Sequence, residues 1–222
     1  MSILTTEQRA AFDRDGFLLV PGLIPDEIAA KAEAAVWQSL GAEPNKPSTW
    51  EGKPVGLGQT SPDVLAIFSP KMAQLVDEIC KEAAPNWQPP PSSFALNIFP
   101  QGGEWSHYGP HIDHALDKDG FLTFPRPMRL ASLLYLTDCK RDGAPTVVWP
   151  GSHKKIEALA KSDPERFRLM ATLNRSLGEL DLGEGIQVEG QRGDVLFYHY
   201  LCAHSGSRNA RDYPRFAIAH KW

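Results

Sequence analysis

The stretch His107-Tyr108-Gly109-Pro110-His111-Ile112-Asp113 ends in the triplet from which the rest of the chain can be read. Side chains on a strand alternate faces, so an HxD on a strand aims the imidazole of His111 and the carboxylate of Asp113 at one point. A second imidazole from a distant strand, His204, would complete two His and one carboxylate on one face of a metal. The opposite face stays open for a cosubstrate and oxygen, the pattern of non-haem Fe(II) sites.

The sequence around the triplet is organised as strands. From Ser92 onward short apolar runs alternate with turns: SSFALNIF, HYGPHID, MRLASLLYLT, PTVVWP, GIQVEG, DVLFYHYLCAH and RFAIAHKW. A charged helical insert, roughly Lys154 to Leu173, interrupts them. Upstream, residues 1–91 read as helical. Thr5 and Gln8 have capping-box spacing ahead of a helix that Gly16 stops. FLLVPGLI is a short strand entering a turn, and EIAAKAEAAVWQSL has helical periodicity closed by Gly41. Residues 41–63 read as a long loop, and a further helix spans about Pro70 to Ala84, ended by Pro85. Helices first and strands later predict a mainly β chain: a jelly-roll, cupin-like barrel over 92–222 with N-terminal and flanking helices, in a single domain of residues 1–222.

Composition sets bounds on function. The chain has 222 residues, 42% hydrophobic and 23% charged, so it can bury a sizeable core. A net charge of -4 gives no reason to expect nucleic acid or an anionic membrane as partner. LASLLYL is too short to span a bilayer, and the N-terminus lacks a basic region followed by an apolar run. Cys80, Cys139 and Cys202 form no CxxC and no disulfide framework, so a reducing cytoplasm is the expected compartment. Oligomeric state is not legible.

Strand parity selects further candidates. Tyr198, Tyr200, Cys202 and His204 share one face, and Arg215 shares its face with Ala217 and Ala219. An inward guanidinium beside two alanines leaves room for a small dicarboxylate held bidentately. Asn97 shares a face with Ala95, and a polar residue at an inward position needs a partner, which a bound carboxylate would provide.

The chain resembles the phytanoyl-CoA dioxygenase family over nearly its whole length. The resemblance rests on LTTEQRAAFDRDGFLLVPGLIPDEI, on DGAPTVVWPGSHK, and on GDVLF followed by HSGSRNARDYPRFAIAHKW, with Asn209 five and Arg215 eleven residues after His204. It implies a double-stranded β-helix in which His111, Asp113 and His204 bind Fe(II). Arg215 would hold the distal carboxylate of 2-oxoglutarate. Asn97 matches a cosubstrate position in the ectoine-hydroxylase branch, to which DGFLTFPRPMR and YLTD are also similar. Asp117 stands where that branch has Trp, which argues against ectoine itself. Gly206 stands where several relatives have a cosubstrate-binding Ser, leaving Ser205, Ser207 or a water for that role. The implied reaction consumes 2-oxoglutarate and O2, releases succinate and CO2, and oxidises a C–H bond of a small molecule. An intact Asp113 favours hydroxylation over halogenation, which uses a small residue there.

Rival readings remain beside these. His107 and His111 have HxxxH spacing, but Gly109-Pro110 disfavours a helix between them. His114 is expected on the opposite face, and His153, His199 and His220 are read as structural. Tyr108, Ser132, Phe124 and Arg126 are the candidate substrate residues, with Phe121 and Trp149 as further pocket candidates. Arg126 and Arg129 hint at an anionic substrate group. Residues 114–127 read as a lid. The alternatives are a cupin-like metalloprotein without 2-oxoglutarate dependence and a catalytically silent relative.

Overall fold

A capping box opens the first helix, α1 (Thr6–Asp15): the Thr5 hydroxyl accepts from the Gln8 amide, and the Gln8 side chain accepts from the Thr5 amide. Gly16, at φ 81°, ends it and turns the chain into β1 (Phe17–Val20). The computed structural model describes residues 2–84, 86–118 and 120–222. Pro85, expected to end the fourth helix, and Asp119, in the expected lid, lie outside the described residues.

Helix α2 (Asp26–Leu40) buries Ala29, Ala32, Val36 and Leu40 at helical spacing. The expected long loop holds more order than its composition suggested. It contains a turn of 3-10 helix at Pro47–Thr49, strand β2 (Gly56–Gln59) and helix α3 (Pro62–Leu65). Two glycines and a polar end make β2 poor by propensity; pairing with β3 (Ser93–Ile98) supplies what its residues do not. Helix α4 is shorter than expected, Pro70–Cys80, because Lys81 takes a left-handed conformation.

The remaining elements are β4 (Ala131–Tyr135), β5 (Thr146–Val148), α5 (Ser152–Ser162), α6 (Met170–Arg175), β6 (Ile186–Val188), β7 (Val195–Tyr198), β8 (His204–Ser205) and β9 (Arg215–Lys221). The charged insert is thus two helices. The strands form a six-stranded sheet, β1-β7-β4-β9-β3-β2, and a three-stranded sheet, β6-β5-β8, with antiparallel pairing throughout. This is the mainly β, jelly-roll architecture expected.

Two of the expected strands are not continuous. In HYGPHID, Gly109 (φ 91°) and Pro110 break the ladder, leaving single bridges from His107 to Ser207 and from His111 to His204. DVLFYHYLCAH runs as β7 only to Tyr198, turns at residues 199–202, and re-enters the smaller sheet as β8.

The large sheet is buried on both faces. Leu133, Tyr135, Leu196, Tyr198 and Ala217 point into the core shared with Val147 and Val148 of the smaller sheet. Leu134, Val195, Phe197, Phe216 and Ile218 point the other way, into a core shared with α2 and α4. Gly193 sets the entry to β7. Its φ is 92°, and an added Cβ would lie 2.5 Å from the Ile24 carbonyl oxygen. Gly193→Ala should cost roughly 1–3 kcal/mol in backbone strain alone, and the clash adds to it. A calorimetric midpoint about 5 °C or more below the parent is expected; an unchanged midpoint would contradict this account.

Candidate metal centre

His111 and His204 face each other across a bridge in which each amide donates to the other's carbonyl at 2.9 Å. That pairing sets their rings on one side, with centroids 4.4 Å apart. Asp113 follows in a turn rather than a strand. The turn is held by the Asn174 side chain of α6, whose Oδ1 accepts from the Ile112 amide at 2.8 Å. Ligand atoms of His111, Asp113 and His204 lie within 4.8 Å of one another, and this is the one such group found among the described residues. The convergence expected of an HxD thus survives without the strand, because the His111–His204 bridge does the aligning.

Protonation suits a cation. His204 Nδ1 lies 3.0 Å from the Cys202 carbonyl oxygen, which can only accept, so Nδ1 carries the proton and Nε2 is free. Burial pushes the His204 imidazole down to about 4, against the pull of Asp113, so it is neutral at pH 7. Burial alone would raise the Asp113 carboxyl. The imidazolium that His204 becomes in acid and the charge of Lys221, with hydrogen bonds from Lys221 and Tyr198, instead hold it at about 2. The Tyr198 hydroxyl donates to Asp113 Oδ2 at 3.1 Å, and the Lys221 ammonium donates to the same oxygen. His204 Nε2 stands 3.7 Å from that oxygen. A neutral imidazole and an ionised carboxylate that converge in this way fit a divalent metal.

Arg215 lies in the same inter-sheet layer and is 3% exposed. Its Nε donates to the Ala144 carbonyl at 3.0 Å, while Nη1 is buried without a partner. The Tyr135 hydroxyl, beside Thr146, is close enough to feel the guanidinium charge; burial pushes that phenol above its ordinary range. Asn209 ties down the approach to β9, its Nδ2 donating to the carbonyls of Ile98 and Tyr213 at 3.0 and 2.8 Å.

Other candidates fall elsewhere. Asn97 pairs with Phe216 and shares its face, so it points into the helical layer, where Nδ2 donates to the Pro54 carbonyl at 3.4 Å. Ser205 pairs with Val147, on the face of β8 opposite His204. Its hydroxyl donates to the Gly206 carbonyl and accepts from the Tyr108 amide. Ser132 also faces the helical layer, accepting from the Trp222 indole at 2.9 Å. Arg126 and Arg129 are held by Glu82 and Asp77, from the turn after α4 and from α4 itself. Ser207 donates to the Pro145 carbonyl.

Tyr108 is at the mouth: it is 67% exposed, and its ring covers Gly206. Phe124 is exposed, and Phe121 lies edge-on to His114. Of the expected lid, residues 121–123 are pinned to the segment before α6: the Thr123 amide and hydroxyl donate to the carbonyls of Arg168 and Phe167. His107 packs on Trp149, and His114 is outside the ligand group. Lys221 and Tyr198, the donors to Asp113, carried no role in the sequence reading. Lys221 was countable there, since it continues the row of Arg215, Ala217 and Ala219.

A cavity of about 620 Å³ lies elsewhere, lined by Glu33, Asp138, Arg192 and Arg211 among others, and shares no residue with the triad. No helix among the described residues is long and apolar enough to cross a membrane.

The fold has counterparts among known proteins. In structure, the chain is similar to the non-haem α-ketoglutarate-dependent carbocyclase SnoK from nogalamycin biosynthesis, at TM-score 0.65 and 17% identity over 99% of this chain and 84% of that one. It is similar to EctD from S. alaskensis with 2-oxoglutarate and 5-hydroxyectoine, at TM-score 0.65 and 16% identity over 97% and 74%. It is also similar to the epimerase SnoN in complex with Fe3+, α-ketoglutarate and nogalamycin RO, at TM-score 0.60 and 18% identity over 96% and 80%. No curated protein matches in a sequence comparison. The profile of the phytanoyl-CoA dioxygenase (PhyH) family matches residues 12–217, and the chain belongs to that family.

Proposed function

We propose that the chain is a non-haem Fe(II)- and 2-oxoglutarate-dependent oxygenase, residues 1–222 acting as one unit, that hydroxylates a C–H bond of a small metabolite. One observation carries the reading: an open three-ligand face shares an inter-sheet layer with a buried guanidinium nitrogen that has no partner. Structures of the same fold hold iron, 2-oxoglutarate or both, which supports the same pair here.

When bound, Fe(II), 2-oxoglutarate and O2 supply the oxidising chemistry, with release of succinate and CO2. The chain's own residues bind, orient and shield. His111, Asp113 and His204 hold the metal, with the Cys202 carbonyl fixing the tautomer of His204. Arg215 receives the distal carboxylate, its Nε kept on Ala144 so that the buried Nη1 is left free within the layer. The alanines at 217 and 219 keep that space clear of side chains. Tyr108 and Phe121 cover the mouth and limit water at the reacting centre.

Adding 2-oxoglutarate to the anaerobic Fe(II) protein is expected to give a visible iron-to-oxoglutarate charge-transfer band. Iron binding without a band would make the chain a cupin-like metalloprotein of another kind. Failure to bind iron would remove the triad assignment.

A further inference from the structure

The inward row of β9 carries a cation at each end: Arg215, then Ala217 and Ala219, then Lys221. The two lie six positions apart on the strand, roughly 20 Å along the backbone, so Lys221 approaches Asp113 from the side away from Arg215. Its side chain is 29% exposed, and its ammonium lies 5.5 Å from the centroid of the Tyr198 ring. Among the described residues, its carboxylate partner is Asp113.

That partner is the one a metal would claim. The ammonium sits on Oδ2, the oxygen that faces His204 Nε2 at 3.7 Å. A divalent ion held by His204 and Asp113 would compete for that oxygen's lone pairs and would repel the ammonium at close range. Among the described residues, Lys221 is then left with no other carboxylate partner. The Tyr198 ring and the His114 imidazole, whose pKa burial keeps low, lie near it. The other cations of this region are already engaged, Arg126 by Glu82 and Arg175 by Asp117.

We propose that Lys221, released from Asp113 by the metal, is the residue that anchors an anionic oxygen group, a carboxylate or phosphate, on the primary substrate. This rests on the oxygenase reading above. It places the anion on the substrate side of the metal, opposite the clamp for 2-oxoglutarate.

The test uses the anaerobic Fe(II) protein saturated with 2-oxoglutarate, with the visible band as readout. Hexanoate, hexanamide and hexyl phosphate are titrated into the parent, Lys221→Met and Lys221→Arg. The parent and Lys221→Arg are expected to respond to at least one of the two anions at a concentration tenfold or more below that of the amide. Lys221→Met should lose that preference. Relative response to hexanoate and hexyl phosphate identifies the anion. An equal response to anions and amide in the parent, or an anion preference retained by Lys221→Met, overturns the proposal. Mn(II) affinity, measured on the same proteins without cosubstrate, separates anchoring from ligand positioning. Lys221→Met should bind Mn(II) at least as tightly as the parent, since it lacks a competing cation; weaker binding would make Lys221 a support for Asp113 and overturn the proposal. A band in the parent with no anion preference defeats this inference alone, whereas the absence of any band in the parent defeats the oxygenase reading with it.

Discussion

Arg215→Ala should raise the 2-oxoglutarate concentration needed for half-development of the charge-transfer band by about 10- to 150-fold, while iron still binds. The figure follows from a charge-assisted hydrogen-bonded pair worth roughly 1.5–3 kcal/mol, at 1.4 kcal/mol per tenfold. The guanidinium is 3% exposed and has one unpartnered nitrogen, so little of that interaction is screened by water. Arg215→Lys keeps the charge but cannot offer the planar pair of donors, and should fall between the two. Iron affinity should change little, because Arg215 is not among the three converging ligands. Unchanged 2-oxoglutarate affinity in Arg215→Ala would defeat the clamp assignment.

The residues that were legible in the sequence share a physical trait: their chemistry is tied to spacing that tolerates errors in local structure. His111 and Asp113 were paired by strand parity, yet the chain at Asp113 is a turn. The pairing held because the backbone bridge between His111 and His204, together with Asn174, aligns the side chains. Asn97, Ser205 and Ser132 show where parity fails. Parity says which residues share a face and not which face is the site, and the large sheet is buried on both sides. Asn97 was inward with respect to the helical layer instead of the metal. Lys221 was missed for the opposite reason. It stands on the correct row, but a lysine near the end of a chain reads as a solvated charge unless the row is counted through to it. Strand β2 was hidden because Gly56 and Gly58 carry no β signal; its existence depends on pairing with β3. The helices of the first part were legible because capping residues and glycine stops are local.

The second large effect is at Asp113. Asp113→Ala should weaken Fe(II) or Mn(II) binding by a hundredfold or more, since it removes the one anionic ligand of the site. It should also abolish succinate release coupled to substrate oxidation; retained coupled turnover would defeat the triad. The same substitution has a metal-free signature, because Asp113 has work to do without metal: it accepts from Tyr198 and Lys221 in a mostly buried position. Its folded value of about 2 lies below the ordinary 3.8. A depressed carboxylate contributes stability that is present above the unfolded value and is lost as pH falls through the folded one. The metal-free parent should therefore lose on the order of 1–2 kcal/mol between about pH 4 and pH 2, a loss absent from Asp113→Ala. His204, pushed from 6.5 to about 4 by burial, gives the same sign in a different window. Its contribution is full above pH 6.5 and fades towards pH 4; the two groups stand 3.7 Å apart, so the acid loss belongs to the pair. Asp113→Asn divides the carboxylate's role again. Its amide oxygen can still accept from Tyr198 and Lys221, so much of the metal-free stability should remain at pH 7 while metal affinity falls. Equal loss of stability in the Asn and Ala proteins would mean that the charge, and not the hydrogen bonds, holds this corner of the site together.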